Sequence, residues 1–222
     1  PDGSQIVYAS RASGMIFTLL RKATTSAGIV EPLLSTTAGD FSSSGWSPDG
    51  EFILYTSQPL GGKNDLLALP LDGDRTPRPV VQTEHDEGDG RFSPDGRWIA
   101  YVSDASGRFE VYVTPFPGPG GTQQVSASGG TEPRWRADGK ELFYFASDNR
   151  LMAVEITTEG ETFEVGQGAP LFQTRESWLP GSGVRYDVSQ DGQRFLVFVP
   201  QDEPSASNIS LIVNWPAELS GK

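Results

Sequence analysis

A short turn motif, Pro-Asp-Gly, recurs along the chain and constrains its fold more than any other feature. The motif occupies residues 1–3, 48–50 and 94–96, and it recurs in altered form at 137–139 and 190–192. The spacings between successive aspartates are 47, 46, 43 and 53 residues. Segments 46–57 and 92–103 are identical at seven of twelve positions. Such a period indicates a repeat architecture, in which each unit buries its faces against its neighbours.

Every repeat shows the same order of strand-forming segments. An aromatic or apolar residue stands two positions before the proline position, at Trp46, Phe92, Trp135 and Val188. Proline presets φ in the turn, aspartate hydrogen-bonds nearby backbone, and glycine accepts the positive φ. The strands after the turns are predicted at 5–10, 51–57, 97–103, 141–146 and 194–199, and the next strands at 15–20, 65–71, 109–116, 151–156 and 208–215. A shorter apolar segment closes most repeats, and no segment has an apolar stripe of helical period.

These units predict an all-β chain. About four strands in roughly 46 residues is typical of a β-propeller built from four-stranded antiparallel blades. Residues 1–222 are expected to form a single propeller domain of about five blade equivalents, part of a ring of six or more blades. The blades are predicted at 1–40 (partial), 41–86, 87–130, 131–180 and 181–222 (partial). Trp46, Phe92 and Trp135 are expected to pack between blades rather than to stack on a ligand.

Composition excludes several kinds of chemistry. The net charge is −12, with 17 basic and 29 acidic residues, so the surface repels nucleic acid. The chain has no cysteine and one histidine, which rules out thiolate sites and histidine-rich metal sites. His85 alone could serve a Ser-His-Asp triad, and its polar surroundings predict a surface loop. No apolar run approaches the roughly 20 residues of a membrane-spanning helix.

The glycine-rich and acidic strings are predicted to be turns or exposed loops rather than ligand sites. The glycine strings 118–121 and 166–168 lack the strand-before, helix-after context of a phosphate loop, and are predicted to be turns between strands. The acidic strings 72–74 and 86–89 do not match the spacing of a calcium loop. We therefore expect no cofactor, with calcium as a minor alternative.

The best binding candidates lie on the innermost strand of each blade, just before the turn. Side chains alternate along a strand, so the fifth and third positions before the proline position should share one face. This face, with two flanking acidic residues, predicts a mixed-charge rim at the channel mouth, formed by Asp40, Ser43, Glu87, Asp89, Arg91, Glu132, Arg134, Arg185 and Asp187. These charges either pair only with each other between blades or form a rim that docks a ligand or peptide.

The S-P-D-G and I-x-Y-x-S pattern resembles the PD40 (WD40-like) repeats of TolB-type propellers over the whole chain. Stretches 64–80, 107–144 and 208–219 further resemble the C-terminal propeller of bacterial serine/threonine protein kinases. The resemblance implies a periplasmic or extracytoplasmic position, a protein or peptide partner, and no membrane insertion by this segment. The chain has no Val-Ala-Ile-Lys, His-Arg-Asp or Asp-Phe-Gly motif, so it contains no kinase catalytic part.

Three functions stay open at this point. The first is a non-catalytic binding or sensory propeller that contacts a protein, a peptide or a small ligand. The second is the gating propeller of a prolyl-oligopeptidase-type serine hydrolase, whose catalytic domain would lie outside these residues. The third is a propeller lyase or sugar-processing enzyme, which a single histidine disfavours.

Overall fold

The computed structural model describes residues 2–12, 16–25, 28–118, 120–160, 162–174, 185–198 and 209–213. This part of the chain contains eighteen β-strands and no helix, so the all-β prediction is confirmed. No helix long and apolar enough to cross a membrane is therefore found among these residues.

The strands form five antiparallel sheets in chain order. The first sheet contains β1 (Gln5–Ala12), β2 (Ile16–Ala23) and β3 (Val30–Thr36). The second contains β4 (Gly39–Trp46), β5 (Phe52–Pro59), β6 (Asp65–Pro70) and β7 (Arg78–Val81). The third contains β8 (Glu87–Phe92), β9 (Trp98–Ser103), β10 (Glu110–Pro115) and β11 (Gln123–Gln124). The fourth contains β12 (Thr131–Trp135), β13 (Glu141–Phe145), β14 (Arg150–Glu159) and β15 (Thr162–Gln173), and the fifth β16 (Tyr186–Val188), β17 (Arg194–Phe198) and β18 (Ile209–Val213).

The repeated turn has the expected chemistry. Between β4 and β5, the Ser47 hydroxyl donates to Asp49 Oδ1 at 2.5 Å, and Asp49 Oδ1 also accepts from the Glu51 backbone N–H at 2.9 Å. Gly50 has φ +78°, and its N–H donates to the Ser47 carbonyl at 2.9 Å. A serine, an aspartate and a glycine thus close this hairpin locally. Hairpins between β8 and β9 and between β16 and β17 repeat this arrangement.

The core lies between neighbouring sheets. Each apolar cluster takes side chains from two successive sheets: Leu19 with Ile53, Leu54 with Ile99, Val111 with Leu142, and Phe143 with Phe195. Trp46, Phe92 and Trp135 pack against three of these clusters, as predicted. A sheet with apolar side chains on both faces is stable only when it is covered on both sides, which explains the stacking.

One sequence prediction is wrong. The string 166–168 is not a turn, because it lies inside the long strand β15. The pairing of β14 with β15 shifts between Val154 and Ile156, and a Cβ atom at Gly166 would lie 3.0 Å from the Glu155 carbonyl oxygen. These glycines therefore permit close approach of two strands at a bulge. Parts of the predicted strands 15–20, 194–199 and 208–215, and residues 175–184 of the predicted blades, lie outside the described residues.

Candidate functional site

The first strands of four successive sheets stand side by side. Strands β4, β8, β12 and β16 each form one edge of their sheet. Strand β8 contacts β4 on one side and β12 on the other. These edges bring the predicted rim residues onto one surface.

A β-bulge interrupts three of these strands. The strand pairing shifts between Ser43 and Gly45, between Gly88 and Arg91, and between Thr131 and Arg134. Asp89 and Glu132 occupy equivalent bulge positions with positive φ, 52° and 56°. The regular alternation of side chains used to predict the rim is therefore interrupted. Across each shift, the first strand has one residue more than the strand it pairs with.

Glu132 makes an ion pair across two sheets rather than with its neighbour Arg134. Arg185 Nε donates to Glu132 Oε1 at 2.5 Å, and the Arg185 backbone N–H donates to Oε2 at 2.7 Å. Both residues are 7% exposed. The Tyr186 hydroxyl donates to the Glu132 carbonyl at 3.0 Å, and burial raises the pKa of this phenol. The pair joins the fourth sheet to the fifth.

Two further arginines enter the same region. Arg91 Nη1 donates to the carbonyls of Ser44 and Gly90, the latter at 2.8 Å. Arg134 is 9% exposed, and its guanidinium lies 5.6 Å from the centre of the Tyr186 ring. Burial and the nearby charge of Arg134 lower the pKa of Arg91 to about 10. Like charges are therefore held close together in a partly desolvated place.

The arginines line a cavity of about 320 Å³, the arginine cavity. It is bounded by Ser44, Arg91, Arg134, Arg185, Tyr186, Asp187, Leu196 and Phe198. Asp187 is exposed, and its Oδ1 accepts from the Val188 N–H at 2.9 Å.

A second cavity of about 230 Å³, the acidic cavity, shares Ser44 and Arg91 with the first. Ser43, Glu87 and Asp89 also line it. Glu87 is 1% exposed; its Oε1 accepts from the Thr83 hydroxyl at 2.5 Å, whereas its Oε2 is buried without a hydrogen-bond partner. Burial raises the pKa of Glu87.

Eight of the nine predicted rim residues thus line the two cavities or pair directly behind them. Asp40 is the exception: it is half-buried, and its Oδ1 accepts from the adjacent Phe41 N–H at 2.6 Å. Sequence reasoning missed Ser44 and Tyr186, which stand at the fourth position before the proline position. Ser44 lies at the pairing shift of β4, whereas Tyr186 lies on β16, whose pairing is regular; the same position holds Gly90 and Pro133 in the other two strands, so no common residue type marks it in the sequence.

The other candidate chemistries gain little from the structure. His85 lies in the connector before β8, where its Nδ1 is 3.6 Å from Asp104 Oδ1. Asp86 accepts from Lys63 Nζ at 2.6 Å and from the Asn64 N–H at 3.0 Å. Within the described ranges, no group of three or more acidic or histidine side chains could hold a metal ion. Calcium therefore stays an untested sequence prediction.

The stacked antiparallel sheets of three or four described strands, with first strands side by side in four of them, define a β-propeller type of protein. The profile of the PD40 family, described as the TolB beta propeller domain, matches residues 1–212. The chain belongs to this family. No curated protein matches it.

Solved structures are similar to the chain in fold. One is the putative TolB from Agrobacterium tumefaciens, with a TM-score of 0.60 and 19% identity, covering 76% of this chain and 62% of that one. A puromycin-hydrolyzing peptidase of Mycobacterium tuberculosis has a TM-score of 0.57 and 20% identity, covering 87% and 33%. The periplasmic gluconolactonase of Pseudomonas aeruginosa has a TM-score of 0.54 and 14% identity, covering 96% and 69%. The chain thus spans less than two thirds of the TolB structure and about a third of the peptidase.

Proposed function

We propose that this chain is a non-catalytic binding domain that docks a protein or peptide at the inner edge of its sheets. One observation carries the proposal: the first strands of four successive sheets place charged side chains around two adjoining cavities that share Arg91 and Ser44. Stable sheets present these side chains at fixed positions, and preorganised groups lose less entropy on binding.

The chemistry of the rim favours binding over catalysis. Glu132 and Arg185 are committed to their ion pair, and Glu87 is almost fully buried. Among the described residues that line the arginine cavity there is no histidine, and the one carboxylate, that of Asp187, is exposed and accepts from the Val188 N–H. Charged, hydrogen-bonding walls of this kind suit recognition of an extended polar chain.

A peptide array tests the proposal. The wild-type chain and a rim variant, Arg91→Gln/Asp187→Asn, are applied to random dodecapeptides. The matched control, Arg150→Gln/Asp148→Asn, alters an exposed ion pair of 3.3 Å that lines neither cavity. We expect the rim variant to lose the peptides that the wild type and the control retain. Equal retention by all three proteins would remove the rim as the docking site.

We further propose that the parent protein is TolB-like or a membrane-bound serine/threonine kinase, with this propeller on the extracytoplasmic side. The support is the family membership together with the resemblance of three stretches to kinase-attached propellers. A phosphatase reporter fused after residue 222 of the parent should be active only outside the cytoplasm. An inactive reporter in a fully expressed fusion would contradict this position.

A second candidate function is the gating propeller of a prolyl-oligopeptidase-type serine hydrolase. The observation that favours it is the similarity in fold to the peptidase structure, which the chain matches over 87% of its own length. A fluorophosphonate probe, which labels activated serines, discriminates between the two. Labelling of the parent protein outside residues 1–222 would support the hydrolase. Absence of labelling in the folded parent protein would favour the binding domain.

A further inference from the structure

The lining of the arginine cavity carries more positive than negative charge, with three arginines and one aspartate. Among the described residues, Arg185 has a carboxylate partner, whereas Arg91 and Arg134 have no carboxylate within ion-pair distance. Asp187, the one acidic residue of the lining, is exposed and accepts a backbone hydrogen bond. This excess stands out in a chain of net charge −12.

The guanidiniums are held in place by the protein. Arg134 Nη1 donates to the Pro133 carbonyl at 2.8 Å, and Arg185 Nη2 donates to the Thr131 hydroxyl at 3.2 Å. Arg91 is held by the carbonyl of Ser44 on the neighbouring strand β4 and by that of Gly90 on its own strand. Each guanidinium has five N–H donors, so donors remain beyond these bonds.

Two further lining residues of the cavity, Leu196 and Phe198, are apolar. Leu196 and Phe198 are 43% and 44% exposed, whereas the alternate residues of β17, Phe195 and Val197, are buried in the core. An exposed apolar pair beside three guanidiniums suits a ligand that carries a negative charge next to a hydrocarbon group.

We infer that the arginine cavity binds a carboxylate whose neighbouring side chain is apolar, as at the C-terminal residue of a peptide. A planar carboxylate matches the two-donor fork of arginine. The cavity, at about 320 Å³, has room for one amino-acid residue rather than a large ligand. This inference rests on the proposed function for the position of the peptide, and it adds the chemical identity of the group that anchors it.

Isothermal titration calorimetry of the full chain with N-acetyl-leucine and N-acetyl-leucinamide tests the inference. The two probes differ only at the carboxylate. We expect the acid to bind at least tenfold more tightly, which corresponds to about 1.4 kcal/mol. Arg91→Gln and Arg134→Gln should abolish this preference, Arg134→Lys should restore part of it, and the control Arg150→Gln should retain it.

A second variant protects the test against misfolding. Leu196→Ser leaves all three arginines in place and alters an exposed side chain, so the fold should persist by circular dichroism. It should weaken N-acetyl-leucine binding and leave acetate binding unchanged. Equal weakening of both anions would contradict the apolar part of the inference.

The remaining outcomes are decisive in other ways. Equal affinity for the acid and the amide overturns the inference, and so does loss of binding in Arg150→Gln. Inorganic phosphate that binds more tightly than N-acetyl-leucine would assign the cavity to a phosphate group instead. Carboxylate binding without any peptide retained on the array would refute the proposed function alone, and peptide docking without carboxylate preference would refute this inference alone.

Discussion

Replacing Asp89 or Glu132 by glycine should separate the backbone and side-chain contributions at two equivalent bulges. Both residues have positive φ, 52° and 56°. A non-glycine residue in this region costs about 1 kcal/mol or more, which glycine relieves. Glycine also loses about 0.4–1 kcal/mol through the greater freedom of the unfolded chain. The backbone effects therefore nearly cancel at both positions.

The side chains make the difference. Asp89 has no ion-pair partner among the described residues, so Asp89→Gly should change the free energy of unfolding by less than about 0.5 kcal/mol. Glu132 pairs with Arg185 in a place where both are 7% exposed. Removing one partner of a buried ion pair costs about 3–5 kcal/mol, because the other charge stays buried and unpaired. Glu132→Gly should lose about that amount.

Urea unfolding followed by tryptophan fluorescence and circular dichroism measures both variants. Glu132→Gln serves as a further variant, since it removes the charge and retains the side-chain length. Adding Arg185→Met to Glu132→Gln should recover part of the loss, because no unpaired charge then remains in that pair. Similar losses for Asp89→Gly and Glu132→Gly would refute the reasoning, since the ion pair would then contribute nothing measurable.

Three further predictions concern the turns, the acidic cavity and the core. The side-chain hydrogen bonds of Ser47 and Ser189 hold the pKa values of Asp49 and Asp191 below their ordinary range. The stability that these carboxylates contribute is therefore present above about pH 4 and lost at lower pH. In urea titrations, the free energy of unfolding of the Asp→Asn variants should fall less steeply below about pH 4 than that of the wild type. Burial raises the pKa of Glu87, so its charge lowers stability once the pH exceeds about 4.3; Glu87→Gln should raise the free energy of unfolding at pH 7, and the gain should vanish at pH 3. A Cβ atom at Gly90 would lie 2.6 Å from Leu54 Cδ2, whereas a Cβ atom at Gly45 would meet nothing within 4 Å. Gly90→Ala should therefore lower the free energy of unfolding by about 1–3 kcal/mol, and Gly45→Ala by less than about 0.5 kcal/mol, in the same assay.

The sequence predicted the elements that local chemistry determines. Aspartate and glycine recur in these turns, with a serine or Arg136 before them, and the hydrogen bonds join residues at most five apart, so the spacing alone indicates the hairpins. Strand-forming residues around each turn then fix the repeat, and Trp46 and Trp135 mark the faces that pack between sheets.

The bulges could not be predicted in the same way. The residues at the shifts are Ser44, the pair Asp89-Gly90 and the pair Glu132-Pro133, which share no common sequence pattern. The ion pair of Glu132 with Arg185 joins residues 53 apart, and it depends on how two sheets stack. The candidate rim was thus predicted as a set of residues, whereas its division into two cavities depends on tertiary packing.

The arginines of the rim are hard to explain by stability alone. Glu132 neutralises Arg185, and the same electrostatic argument would favour a second carboxylate beside Arg134 or a neutral residue at position 91. The chain has 29 acidic residues, yet the arginine cavity is lined by three arginines and the exposed Asp187. Burial and the neighbouring charge of Arg134 lower the pKa of Arg91 to about 10, against the opposing effect of Asp89 and Glu132, so its charged form is less favoured there than in water. Local electrostatic rules are commonly broken where function requires it. A bound carboxylate would supply the missing negative charge, so ligand binding and relief of this repulsion would be one event.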